Sequence, residues 1–234
     1  MNKNEIKIMI CTPIYNDVKS EYHISMLETL IAFERSNIYL DIQHVIGSSI
    51  IEDARNELVN IFLNSPEKPS HLLFIDSDIK WELQNIRDLI EFSDNEDHLI
   101  ISGIYPKKKL NENNLSLDNL GNVDNLFSPI TNNYDLSKRE PIKVKYVGMG
   151  FCLINKIVFK RFKEHYKDLE YVENNKLSYL YFSNGFIENN GIKLRYGEDS
   201  YFCKLCSDIG IDTWLLPWVN VKHIGELEYT CKLT

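Results

Sequence analysis

Glycine is scarce in this chain, at 10 of 234 residues, which excludes glycine-rich repeats and low-complexity architecture. Cysteine is no more abundant. Cys11, Cys152, Cys203, Cys206 and Cys231 are odd in number and scattered, so no disulfide framework follows. Cys203 and Cys206 form a CxxC with no second pair at metal-binding spacing. On a helix they would share a face as small buried hydrophobes, and free thiols fit a reducing compartment. No stretch reaches the ~20 apolar residues of a membrane helix. The opening MNKNEIKIMICTPIYN carries an apolar run too short for a secretory signal, and it meets Pro13 at once. Together these absences point to a soluble, intracellular chain. Cations are the minority charge, with 26 Lys and Arg against 34 Asp and Glu and a net charge of −8. Nucleic-acid binding needs clustered cations, so it is not expected. Lys107-Lys108-Lys109, the one dense basic run, reads as a solvated loop or as a phosphate or acceptor contact.

What is present is ordinary globular composition, 44% hydrophobic and 26% charged, in a length that suits one α/β domain with a real core. The spacing predicts strands over Ile6 to Cys11, Ile38 to Ile46, His71 to Ile75, Leu99 to Ile104, Val144 to Val147, Phe151 to Ile154 and Thr213 to Leu216. Between them, helical spacing appears in Ile24, Leu27, Leu30 and Ile31 after Ser20. It recurs in Ala54, Leu58, Ile61 and Phe62 after a capping box Ser49-x-x-Glu52, and in Ile86, Leu89 and Ile90. Val158, Phe159 and Phe162 mark another helix, and Glu198 to Ile209 a last one. Such alternation predicts a single Rossmann-like, mostly parallel sheet with helices on both faces, which binds its ligand beyond the carboxyl ends of the strands. Residues 109–141, rich in Asn, Asp and Ser, read as a flexible insertion that could order over a bound ligand. Tyr171 to Tyr196 has no clear period.

Four groups of residues can carry chemistry. Asp76-Ser77-Asp78 closes a buried strand. Two carboxylates so spaced can hold a hard divalent cation, Mn²⁺ or Mg²⁺, which leaves coordination sites for phosphate. Glu198-Asp199 follows Gly197 at a helix start, where acids are stabilised by the macrodipole in any case; either acid could act as a general base. His223 follows the last strand and could be a third ligand of the same cation. Arg55, beside Asn56, offers a planar fork that matches phosphate oxygens, or else a surface salt bridge.

In this order the segments resemble the GT-A type glycosyltransferases, in particular their family-two-like members. The resemblance lies in Cys11-Thr12-Pro13-Ile14-Tyr15-Asn16, Ala54-Arg55-Asn56-Glu57-Leu58 and Leu73-Phe74-Ile75-Asp76-Ser77-Asp78. It continues through Ser102-Gly103-Ile104-Tyr105-Pro106-Lys107-Lys108, Val147-Gly148-Met149-Gly150-Phe151, Gly197-Glu198-Asp199 and Val221-Lys222-His223-Ile224-Gly225. It spans Ile6 to about Gly225, with Lys109 to Pro141 outside it. The resemblance implies a metal-dependent transfer of a sugar from a nucleoside-diphosphate donor, UDP favoured, to a glycan or other hydroxyl acceptor, with inversion. It implies that Thr12, Pro13, Tyr15, Asn16, Arg55, Asp76 and Ser77 bind the donor and that Gly148 and Gly150 lie on the acceptor side. Asp78, with Asp76 and His223, would hold the metal, and Asp199, with Glu198 beside it, would be the base. Similar small enzymes occur in bacteria, phages and large viruses, which extends the expectation to a virus-encoded enzyme working in host cytoplasm. Two rivals share parts of this pattern. A sugar-nucleotide pyrophosphorylase would carry a glycine- and basic-rich first loop where Thr12 to Asn16 stands. A non-catalytic carbohydrate-binding protein would have no need of Asp76, Asp78, Asp199 and His223 together.

Overall fold

The structure, a computed structural model, describes residues 6–36, 38–93, 97–104, 106, 127–129, 138–173, 175–189, 191–225 and 228–229. Most of the insertion expected at 109–141 and the Lys107-Lys108-Lys109 run fall outside these residues, as does Cys231.

The chain runs β1 (Lys7–Ile14), α1 (Ser20–Glu34), β2 (Tyr39–Ile46), α2 (Ile51–Asn64), β3 (His71–Ile75), β4 (Ile79–Lys80), α3 (Leu83–Ser93), β5 (Ile100–Ile104) and β6 (Phe127–Pro129). It continues with β7 (Ile142–Val147), β8 (Phe151–Asn155), α4 (Lys156–His165), β9 (Glu170–Glu173), β10 (Lys176–Tyr179), β11 (Gly185–Asn189) and β12 (Ile192–Tyr196). The last elements are α5 (Glu198–Asp208), β13 (Thr213–Asn220), β14 (Lys222–Ile224) and β15 (Glu228–Tyr229). Eight strands form the main sheet in the order β2-β1-β3-β8-β5-β13-β7-β6. β1 runs parallel to β2 and β3, and β5 runs parallel to β13. β8 is inserted antiparallel between β3 and β5. Its direction reverses the chain, so the turn before it, Gly148 to Gly150, lies at the same end of the sheet as the carboxyl ends of β1, β3 and β5.

Alternation along the strands builds two cores. Ile8, Ile10, Leu73, Ile75, Ile101 and Leu153 face α1 and α3. Met9, Cys11, Leu72, Phe74, Cys152 and Ile154 face α2, α4 and α5. Cys203 and Cys206 are fully buried on α5, as their shared helical face implies. Cys11, Cys152, Cys203 and Cys206 are all free thiols.

Two local expectations fail for identifiable reasons. On α1 the apolar set Ile24, Leu27, Leu30 and Ile31 points outward, while Tyr22, Ser25, Met26, Thr29 and Phe33 are buried. The buried Trp81 decides this rotation. Its indole N–H donates to Thr29 Oγ1 at 2.9 Å, and its backbone bonds Ser25 at both its N–H and its carbonyl. A buried indole needs an acceptor, so two hydroxyls face inward in place of two aliphatic groups. The capping box at Ser49 does not form either. α2 begins at Ile51 after Ile50, with no side-chain cap, and Ser48 Oγ donates instead to the Ile50 carbonyl at 2.9 Å. Residues 170–196 form two hairpins, β9–β10 and β11–β12. Their Val172, Leu177, Phe186 and Ile192 are exposed, which is why no core-facing period marks them.

Gly103 lies where β5 passes β13. A Cβ there would come 2.5 Å from Val219 Cγ1 and 2.9 Å from the Val219 carbonyl, and backbone cannot swing aside as a side chain can. Gly103→Ala is expected to destabilise the chain by about 1–3 kcal/mol, the usual range for overpacking, measured by urea denaturation. A variant as stable as the parent would contradict this packing.

Candidate active site

The expected chemical residues converge at one end of the sheet, and the backbone brings them there. Asp76 follows β3 directly, and its N–H donates to the Gly150 carbonyl at 3.0 Å. On the other side of the same turn, the Met149 N–H donates to Asp199 Oδ2 at 3.0 Å. The Gly148 to Gly150 turn therefore ties the main chain at the strand end to a carboxylate of the helix start. The atoms that make these ties are main-chain groups of Met149 and Gly150. α5 starts after Gly197, in extended conformation, with Glu198 and Asp199 in its first turn.

Arg55 lies between these carboxylates. Its side chain is only 3% exposed, so the surface salt bridge foreseen as its bland alternative does not exist. The guanidinium lies 3.3 Å from Asp76 Oδ1, 3.6 Å from Asp199 Oδ1 and 3.9 Å from Glu198 Oε1. Its Cζ lies over the Phe74 ring, 5.1 Å from the ring centre. One cation against three carboxylates leaves an excess of negative charge. Burial raises Asp199 to about 7, with Arg55 pulling the other way, Glu198 adding to the rise and the Met149 N–H opposing it. Asp76 is raised as well, by burial first. Arg55 and His223 oppose that rise, while Asp199 and Asp78 reinforce it.

Asp78 and His223 form the second half of the site. Asp76 turns toward Arg55, whereas Asp78 meets His223, with Oδ1 and Nε2 3.3 Å apart. A small sheet makes this contact. β14 pairs antiparallel with β4, setting His223 opposite Ile79, and the Ile224 N–H donates to the Asp78 carbonyl at 2.7 Å. Strands this short give no sequence signal beyond the histidine itself. His223 Nδ1 lies 2.8 Å from the Pro106 carbonyl, and a carbonyl only accepts, so Nδ1 carries a proton. In the neutral ring Nε2 then turns a lone pair toward a carboxylate oxygen. Two acceptors at this distance repel unless a proton or a metal cation lies between them. Their separation also suits two adjacent ligands of one cation, at roughly 2.1 Å from each. No group of three His, Cys, Asp or Glu side chains forms a ready cage among the described residues. An oxygen-loving cation held by two protein groups keeps places for phosphate and water.

A cleft of about 240 Å³ opens beside this pair, lined by Pro13, Tyr15, Ser48, Ser49, Ile51 and Ala54 together with Asp76, Ser77, Asp78 and His223. Tyr15 is 61% exposed at its rim. Thr12 is fully buried, with its hydroxyl 2.6 Å from the Tyr22 hydroxyl, and neither it nor Asn16 lines the cleft. Ser48, Ser49, Ile51 and Ala54 are not singled out as ligand contacts by the sequence, where Ser49 reads as a cap residue and Ala54 as part of a helix face. The signal that could have found them is their place directly after a strand carboxyl end. Among the described residues, no helix is long and apolar enough to cross a membrane.

No family model matches the chain, and no curated protein matches its sequence. Solved structures do match its fold. The crystal structure of A197 from STIV superposes with a TM-score of 0.56 and 16% identity, over 94% of this chain and 86% of that one. The crystal structure of GalNAc-T7 with UDP, GalNAc and Mn²⁺ superposes with a TM-score of 0.51 and 10% identity, over 96% of this chain. The match spans 45% of the GalNAc-T7 chain. At these identities the likeness shows the fold, which is of the GT-A type.

Removing the guanidinium would leave buried carboxylates without their counter-ion. Arg55→Met is expected to destabilise the chain at pH 8 by about 2 kcal/mol. That is less than the ~3–5 of a fully buried pair, because Asp76 and Asp199 keep about a quarter of their side-chain surface in water. Without Arg55 the folded carboxylates hold protons more tightly than the unfolded ones. The penalty is therefore small near pH 5 and grows as pH rises through 7. Denaturation at the two pH values measures it, and an equal loss at both would contradict the arrangement.

Proposed function

We propose that this chain is a glycosyltransferase that moves a sugar from a nucleoside-diphosphate donor, UDP favoured, to an acceptor hydroxyl with inversion at the anomeric carbon. The observation that carries this reading is the division of the site. Asp78 and His223 face one another as a two-ligand cation seat beside the cleft, while Asp199 stands apart on α5 with its carboxylate fixed. The GT-A fold supports the reading, as does the capture of UDP and Mn²⁺ in the GalNAc-T7 crystal structure.

On this proposal the diphosphate lies at the Asp78 and His223 end. Mn²⁺ or Mg²⁺ there would neutralise the charge that develops on the departing diphosphate. Pro13, Tyr15, Ser48 and Ser49 receive the nucleoside, and the exposed Tyr15 ring is free to stack on a base. The Pro106 carbonyl holds the His223 ring in the tautomer that presents Nε2. Asp199 takes the proton of the acceptor hydroxyl as it attacks the anomeric carbon from the face opposite the leaving group. A base works best when its pKa lies near the operating pH, and burial places Asp199 there, at about 7. The Met149 N–H and Arg55 fix its direction. Glu198 lies at the edge of the same cluster, 3.9 Å from Arg55 Nε, and by its charge helps to raise Asp199.

Two measurements test this assignment. Calorimetry should show UDP binding that depends on Mn²⁺, and Asp78→Ala should abolish the dependence; unchanged Mn²⁺-dependent affinity in that variant would defeat the cation seat. Asp199→Asn should lower turnover by about 10²–10⁴-fold with UDP affinity retained. In the parent enzyme, kcat/KM should rise with pH and level off above about 7. Full turnover in Asp199→Asn, or a product that keeps the donor's anomeric configuration, would overturn the mechanism.

A further inference from the structure

We propose that Asn56 is a positioning residue that sets the spacing between the helix carrying Arg55 and the helix carrying Asp199. This rests on the reading of Asp199 as the base. Asn56 is 2% exposed and adjoins Arg55 on α2, yet its amide serves a segment far along the chain. Nδ2 donates to the Phe182 carbonyl at 2.8 Å, and Oδ1 accepts from the N–H groups of Tyr181 and Phe182 at 2.9 and 2.8 Å. Three of the four hydrogen bonds open to a carboxamide are thus spent on two consecutive residues.

The segment held in this way touches both helices and the strand between them. Asn184 donates to Glu52 one turn earlier on α2. Phe182 is fully buried; its ring meets Phe74 edge-on at 5.6 Å and lies 4.4 Å from Phe202 of α5. Phe74 is the ring on which Arg55 rests. Gly185 lies flat against Tyr201 in the first turn of α5, so close that a Cβ would come within 2.3 Å of that ring. Residues 181–185 therefore form a strut from Asn56 across Phe74 to the turn that bears Asp199. The 3.6 Å Arg55–Asp199 contact and the 3.0 Å Met149–Asp199 bond both depend on where that strut holds α5. Catalytic groups tolerate displacements of only about 0.5 Å, so a loosened strut should cost turnover before it costs donor binding, because the cleft is lined from β1, the loop after β2, the start of α2, the end of β3 and β14, and not from α5.

The test uses Asn56→Ala, Asn56→Asp and Gly185→Ala in the full chain. Three readouts apply: amide hydrogen exchange, calorimetry with UDP and Mn²⁺, and UDP release from a UDP-sugar. In Asn56→Ala the Met149 N–H should exchange about tenfold faster, with the amides of Leu72 to Phe74 unchanged. UDP affinity and the donor KM should stay within about twofold while kcat falls about tenfold or more. Asn56→Asp keeps both acceptor bonds and loses one donor, so it should recover part of kcat. Should Asn56→Ala fail to fold, Gly185→Ala decides, because it pushes on Tyr201 from the same strut without removing a hydrogen bond, and the same split is expected. Faster exchange confined to Tyr181 and Phe182 overturns the proposal. So does a lowered melting temperature with kcat intact, or Gly185→Ala with parental kcat. If the parent releases no nucleoside diphosphate from any sugar nucleotide, the glycosyltransferase reading falls, and the Met149 exchange rate still decides whether Asn56 positions α5.

Discussion

A guanidinium held out of water among three carboxylates is the interaction on which the rest of this site depends. Arg55 comes from α2, Asp76 from the end of β3, and Glu198 and Asp199 from the start of α5, so a single cation draws together elements distant in sequence. The arrangement is costly to assemble, because burying charge is unfavourable unless it is compensated. Compensation here is incomplete by intent of geometry, with more negative than positive charge. Burial first, with the Glu198 charge adding to it, raises Asp199 to about 7, and Arg55 opposes the rise; the surplus carboxylates are what the proposed divalent cation would offset. An anionic diphosphate could not lie beside such a surplus unless a cation came with it. On the proposed function, one divalent cation would offset both the surplus carboxylates and the charge of the diphosphate.

The sheet explains why these groups meet. β8 runs against its neighbours, so its leading turn arrives at the carboxyl ends of the parallel strands, where the backbone of Met149 and Gly150 can bond both Asp199 and Asp76. β14, three residues long, brings His223 to Asp78 by pairing with the two-residue β4. The first device fixes the Asp199 carboxylate directly through the Met149 N–H, and the second sets His223 by strand pairing. Each places a side chain by main-chain hydrogen bonding, which is stiffer than a loop held only by its own contacts.

Much of this was legible in the sequence, and the parts that were not share a cause. Asp76, Asp78, Asp199 and His223 stood out because acids and imidazole at the ends of apolar runs are rarely core residues. The strand positions followed from β-rich runs, and the two-sided sheet followed from their alternation with helices. Partners that lie far apart along the chain were hidden. Arg55 reads as a phosphate fork or a surface salt bridge, since nothing local announces three carboxylates around it, and Asn56 stands only as its neighbour, since its bonds go to Tyr181 and Phe182. Strand direction was hidden as well, because β8 has the same apolar composition as its parallel neighbours. The α1 rotation was misjudged for a third reason: hydropathy ranks Ile24 and Leu27 above Ser25 and Thr29, but the hydrogen-bonding need of a single buried indole outweighs that ranking.

The central claim is that this constellation activates a sugar nucleotide with the help of a divalent cation. The most direct measurement is a screen of nucleoside-diphosphate sugars incubated with the chain, reading free nucleoside diphosphate with Mn²⁺ present and again after chelation. The account expects release from at least one donor, a uridine one first, that stops when the metal is removed and is restored when Mn²⁺ is added back. Release that proceeds equally well in chelator, or no release from any donor while the folded chain binds UDP and Mn²⁺ normally, would contradict it.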